Sequence, residues 1–134
     1  MKISIHDHTT IADVQQQFSE RFPYLKLEFF SKRHRPGNGT HLKFLLPHDQ
    51  RLGDIRKTHN EGEIDIYPDM RVSELEQLFG THYDLGVQVF RKSGKTWLET
   101  ILTDSWTLRE QNKEGEFLST RIQPEPPNYD LDIE

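Results

Sequence analysis

The sequence predicts an α+β fold built from a tandem strand–helix–strand–strand duplication: a mixed sheet with two main helices on one face and a C-terminal strand. Three observations carry this. Two segments match without a gap, Lys2–Phe22 (KISIHDHTTIADVQQQFSERF) and Glu63–Tyr83 (EIDIYPDMRVSELEQLFGTHY). Further matches follow in the same order, Leu25–Lys32 on Leu85–Lys92, Gly39–Leu46 on Lys95–Leu102 and Asn60–Ile64 on Lys113–Phe117, giving a period of about 60 residues. Within each copy the apolar residues alternate, then recur at helical spacing, then alternate again.

Taken in order, Ile3 and Ile5 alternate as a short strand with one buried face, and Ile64 and Ile66 repeat them. Ile11, Val14, Phe18 and Phe22 form one stripe of an amphipathic helix, as do Val72, Leu75, Phe79 and Tyr83. Thr10 with Asp13, and Ser73 with Glu76, have the spacing of capping boxes. Leu25, Leu27 and Phe29 alternate as a second strand, matched by Leu85, Val87 and Val89. Strands Leu42–Leu46 and Trp97–Leu102 follow across glycine-bearing turns. A short helix closes each copy, at Arg51–Lys57 and Thr107–Asn112, and Phe117–Ile122 reads as a last strand.

At 134 residues the chain has the size of one domain or of two very small ones. A 60-residue unit with one helix buries little, so the expected organisation is one pseudo-symmetric domain over residues 1–122. Repeat 1 is about 1–61 and repeat 2 about 62–122, related by a pseudo-two-fold axis, with two separate beads as the alternative. Residues 123–134 form an acidic, proline-containing tail in which Tyr129, Leu131 and Ile133 alternate with acids; it reads as a strand that adds to a sheet edge or as a solvated terminus.

Composition narrows the function classes. The formal charge is −5 and the pI about 5.8, so the molecule as a whole is no general polyanion binder. Residues 1–67 hold 10 Lys/Arg against 9 Asp/Glu, whereas 68–134 hold 7 against 13, four of those acids in the last twelve residues. No cysteine is present, which excludes disulfides, thiolate zinc and a cysteine nucleophile. No apolar run approaches the roughly 18 residues of a membrane span, and the start has no secretory pattern. A cytoplasmic protein without a membrane partner is expected.

The candidate sites are few. Two basic hairpins, SKRHRPGNGTHLK and RKSGK, place Lys32, Arg33, Arg35, Arg91, Lys92 and Lys95 where they could contact phosphates of a nucleic acid, with Trp97 or Phe90 near for stacking. Solvated hairpins with edge-guarding lysines are the plain alternative. Trp97, Asp104, Trp106 and Glu110 could line a polar ligand pocket, although Thr107 with Glu110 also has capping-box spacing. His6 and His8 share one side of an extended segment, but spacing identifies no third ligand, so no metal is assigned. Gly94-Lys95-Thr96 lacks the upstream glycine and following helix of a phosphate loop, and no serine elbow is found.

The segment FRKSGKTWLETILTDSWTLREQN (Phe90–Asn112), with VSELEQLF before it, resembles a stretch of small uncharacterised bacterial proteins, over roughly residues 70–115. The resemblance implies a bacterial cytoplasmic setting and supplies no catalytic residue, cofactor or partner. The leading expectation is a non-enzymatic module for macromolecular interaction, with a protein partner whose identity is open, no cofactor and an open oligomeric state. The second is nucleic-acid or polyanion binding through the two hairpins. The third is a small-ligand protein or enzyme with a pocket near Trp97 and Trp106.

Overall fold

A computed structural model describes residues 1–31 and 44–121. Its elements are β1 (Lys2–Ile5), α1 (Ile11–Arg21), β2 (Leu25–Phe30), a short 3-10 turn (Leu52–Asp54), β3 (Gly62–Asp65), α2 (Val72–Tyr83), β4 (Gly86–Ser93), β5 (Thr96–Glu99) and α3 (Leu108–Glu116), the last running into a wide helical turn over Phe117–Arg121. The fold class is α+β.

The strands form two antiparallel sheets, a β1–β3 ribbon and a three-stranded sheet in the order β2–β4–β5. The expected mixed sheet is therefore corrected, and the registers give the reason. Ile3 lies opposite Ile64, its own match in the other copy, and Glu28 lies opposite Gln88, again its own match. A two-fold axis standing on a sheet pairs equivalent strands in opposite directions, so neither copy meets the other in parallel. α1 packs along β2 and α2 along β4, and the same local axis puts both helices on one side of that sheet.

One apolar cluster draws on both copies. It joins Ile3, Ile5, Ile11, Val14, Phe18, Leu25, Leu27 and Phe29 to Ile64, Ile66, Val72, Leu75, Phe79, Val87 and Val89. Phe29 of the first copy meets Phe79 of the second edge-on, with ring centroids 5.9 Å apart at 88°. Such a pair adds about 0.5–1.5 kcal/mol to the burial of the two rings.

Three further expectations are corrected locally. Phe117–Arg121 does not form the expected strand: α3 runs on through it, and position 122 lies outside the described residues. The Thr107–Glu110 capping box starts that helix firmly, and Gly115 lets it lie on Tyr24, where an added Cβ would come within 2.8 Å of the tyrosine Cβ. Ser119 then accepts a hydrogen bond from the Gly94 N–H, holding the last turn against the β4–β5 hairpin. The α2 cap is not Ser73 with Glu76; the N-cap is Arg71, two residues earlier, and Glu74 accepts from the Arg71 N–H at 2.8 Å. Of the expected strand Leu42–Leu46, positions 42 and 43 lie outside the described residues, and Leu45 forms a single antiparallel bridge to Phe30.

Candidate functional site

The run Thr103–Asn112, the densest cluster of polar groups in the sequence, acts as a clamp on the start of α2. The first residues of a helix have N–H groups without intrahelical partners. Here Val72 N–H donates to the Trp106 carbonyl (3.0 Å) and Ser73 N–H to the Asp104 carbonyl (2.8 Å), while Leu108 N–H donates back to Met70 (2.8 Å). The Arg71 guanidinium also donates to the Ser105 carbonyl. The first copy repeats the scheme at its own helix start: Ile11 to Gln50 (3.0 Å), Ala12 to His48 (2.8 Å) and Leu52 to Thr9 (2.8 Å). The bridges Thr10–Arg51 and Arg71–Thr107 sit at the same place in the two clamps.

Superposing the clamps corrects the sequence alignment. Leu46 N–H donates to Phe29 and Thr100 N–H to Val89, yet the clamp begins at Pro47 in one copy and Thr103 in the other. Ile101 and Leu102 are thus extra in the second copy, and Leu102 is 96 % exposed.

The four expected pocket residues are dispersed. Glu110 closes the α3 cap, accepting from Thr107 N–H at 2.9 Å, and that bond, with the one from the Thr107 hydroxyl, holds its carboxyl below the ordinary range. Trp97 is the β5 partner of Lys92, whereas Trp106 stacks under the Arg91 guanidinium at 5.6 Å. Arg91 and Lys92 are consecutive on β4 and point to opposite faces, so the two tryptophans lie on opposite sides of the sheet. Asp104 contributes its backbone carbonyl to the α2 clamp.

The basic set divides as well. Lys32, Arg33 and Arg35 lie outside the described residues. Arg91 donates to Gln111 at 2.9 Å on the α3 side. Lys92 and Lys26 stand 5.7 Å and 5.0 Å from the Trp97 ring, so both ammonium groups already use the indole that a base would stack on. Lys26 is also paired with Glu28 at 3.1 Å, and Lys95 is exposed at the hairpin tip.

Two polar groupings were missed at the level of sequence. Arg56, with its side chain fully buried, donates to Asp7 at 2.9 Å and to the Tyr83 carbonyl at 3.1 Å, tying the first copy to the end of α2 in the second. His59 Nδ1 lies 2.9 Å from the same Asp7 oxygen. The hydrogen bond from His59, then that from Arg56, lowers the Asp7 pKa. The second grouping flanks the local axis: Gln15 donates to Glu28 (3.0 Å) in one copy, and Gln88 donates to Glu76 (3.2 Å) in the other. Glu76 also accepts from the Val89 N–H at 3.0 Å. The matching positions 15/76 and 28/88 were visible, but the exchange of amide for carboxylate is a tertiary pairing that periodicity does not report.

Among the described residues no three His, Asp or Glu side chains converge as a metal site requires, and no helix is long and apolar enough to cross a membrane. What the second copy does leave open is the outer edge of β5, whose only strand neighbour among the described residues is β4. Leu98 on that strand is 43 % exposed, and Leu102 follows it. Comparison with protein families, with curated proteins and with solved structures found no match.

Proposed function

We propose that this chain is a non-enzymatic interaction module that takes an extended segment of a protein partner onto the outer edge of β5. The observation that carries the reading is the outer β5 edge, unpaired among the described residues, with exposed Leu98 within it and Leu102 just beyond. An unpaired strand edge offers backbone donors and acceptors to an added strand, and exposed apolar side chains beside it supply specificity. The polar residues that suggested a pocket are engaged in capping, clamping and stacking, which supports binding over catalysis. The bacterial cytoplasmic setting belongs to the same proposal.

The test uses a photo-crosslinking amino acid at Leu102 and, as a control, at exposed Glu20 on α1, each with and without Glu99→Pro. The Glu99 N–H faces away from β4, so proline there removes an edge donor and leaves the ladder to β4 intact. Adducts at Leu102 that disappear with Glu99→Pro, and are absent at Glu20, support strand addition. Adducts indifferent to Glu99→Pro would sink it.

A further inference from the structure

We infer that the segment received by the β5 edge is β5 of a second copy of this chain, paired antiparallel about Trp97; this rests on the strand-addition reading above. The argument begins at the β4–β5 turn. Ser93 and Thr96 are the last paired residues, leaving a two-residue loop of Gly94 and Lys95. Gly94 has φ of 63° while Lys95 stays at negative φ, the pattern of a type II′ turn. In a two-residue hairpin the pair flanking the loop exchanges hydrogen bonds, and such pairs alternate along the ladder. Ser93–Thr96 and Arg91–Leu98 are then the bonded pairs. Trp97 and Glu99 turn their N–H and C=O groups outward.

That alternation restricts self-pairing. Only registers that set outward-facing residues opposite one another can form hydrogen bonds; those about Trp97 and about Leu98 overlap the strand equally, and only the one about Trp97 brings opposite charges together. It places Trp97 against Trp97 and, just past each end of the overlap, brings the loop residue Lys95 of one copy beside Glu99 of the other. Opposite charges directly across strands stabilise, and aromatic pairs do so too. On the other face Leu98 comes opposite Thr96, covering part of the apolar surface that one copy leaves in water. The edge is self-complementary in charge and in shape, as an isologous two-fold contact requires.

The test is sedimentation velocity on the full chain across a roughly thousandfold concentration range, suited to a small and weak interface. The expected result is a rise from 15.9 kDa toward twice that mass. Lys95→Glu and Glu99→Lys each create two like-charge contacts and should weaken association by about tenfold. The double variant, and an equimolar mixture of the two single variants, should restore it. In parallel, the Trp97 and Glu99 amides should exchange more slowly as concentration rises. A monomer throughout, single variants that associate like the parent, or amide protection independent of concentration (an edge covered within one chain) would each overturn the inference. If self-association fails while Leu102 crosslinking still depends on the Glu99 N–H, strand addition by another protein stands; if both fail, so does the reading beneath.

Discussion

The first copy closes with a single 3-10 turn at Leu52–Asp54, and the second closes with α3, six residues longer. Both share the same clamp on the helix start and the same placement about the axis. The difference lies in how each secures the end of the other's helix. In the first, Arg56 reaches the Tyr83 carbonyl at the end of α2 and the following chain wraps the cap, with Lys57 and Thr58 N–H groups donating to Asp84, which sits at φ 58°. In the second, Asn112, at the position matching Arg56, accepts from the Tyr24 N–H at 2.9 Å just after α1. A buried charge with two partners does in one half what a helix and a neutral amide do in the other. A short closing segment buries little surface of its own, so the first copy relies on a few strong polar contacts; the second relies on packing.

The largest effects should come from breaking the apolar cluster that the copies share. Phe18→Ala and Phe79→Ala remove matching fully buried rings and should each cost about 4 kcal/mol. Both tryptophans belong to the second copy, so denaturant unfolding followed by fluorescence and by far-UV circular dichroism separates the halves. Phe18→Ala should shift both transitions equally; a fluorescence transition left in place would mean two beads that unfold apart.

Next in size is the contrast between the closing segments. Arg56→Ala takes the guanidinium from the Tyr83 carbonyl and from Asp7, which keeps His59, and should cost on the order of 3 kcal/mol. Asn112→Ala deletes one neutral hydrogen bond and should cost about 1 kcal/mol. Urea midpoints of the two variants measure the difference, and equal losses would erase the distinction between charge and packing.

The smallest effect is the pH dependence that Asp7 contributes in the first copy. The Asp7 carboxyl titrates below its ordinary value of 3.8 when folded, through the His59 and Arg56 hydrogen bonds. Its contribution is complete above that value and is lost as pH falls through the lower folded one. The stability gap between the parent and Asp7→Asn should therefore close on acidification below about pH 4, as read from urea midpoints along a pH series. A gap that stays constant to the acid limit would remove Asp7 as its source.

Much of this architecture was legible in the chain because it repeats. The alternation of Ile3/Ile5 and Ile64/Ile66, the stripe from Ile11 to Phe22 and the Thr10 and Thr107 caps are local patterns, and local patterns are what spacing reports. Sheet direction was not local. It follows from the axis, and the axis appears only once Ile3 is seen opposite Ile64. Phe117–Arg121 has the β-friendly residues of a strand but follows a well-capped helix with no break, and the helix continued through it. The candidate pocket residues divide for a related reason: one residue of offset along β4 sends Arg91 and Lys92, and with them Trp106 and Trp97, to opposite faces.

The register of Glu28 against Gln88 has a consequence for symmetry itself. In a dimer of identical chains, a residue on the axis faces its own twin, so a glutamate there would face a glutamate, and a glutamine a glutamine. Joining the halves in one polypeptide lifts that restriction. An acid can then stand across from an amide, and each can recruit the opposite type from its own helix, Gln15 on one side and Glu76 on the other. Identical subunits cannot break their own degeneracy at such a point; a fused pair can, and in this chain the break falls at the centre of the sheet.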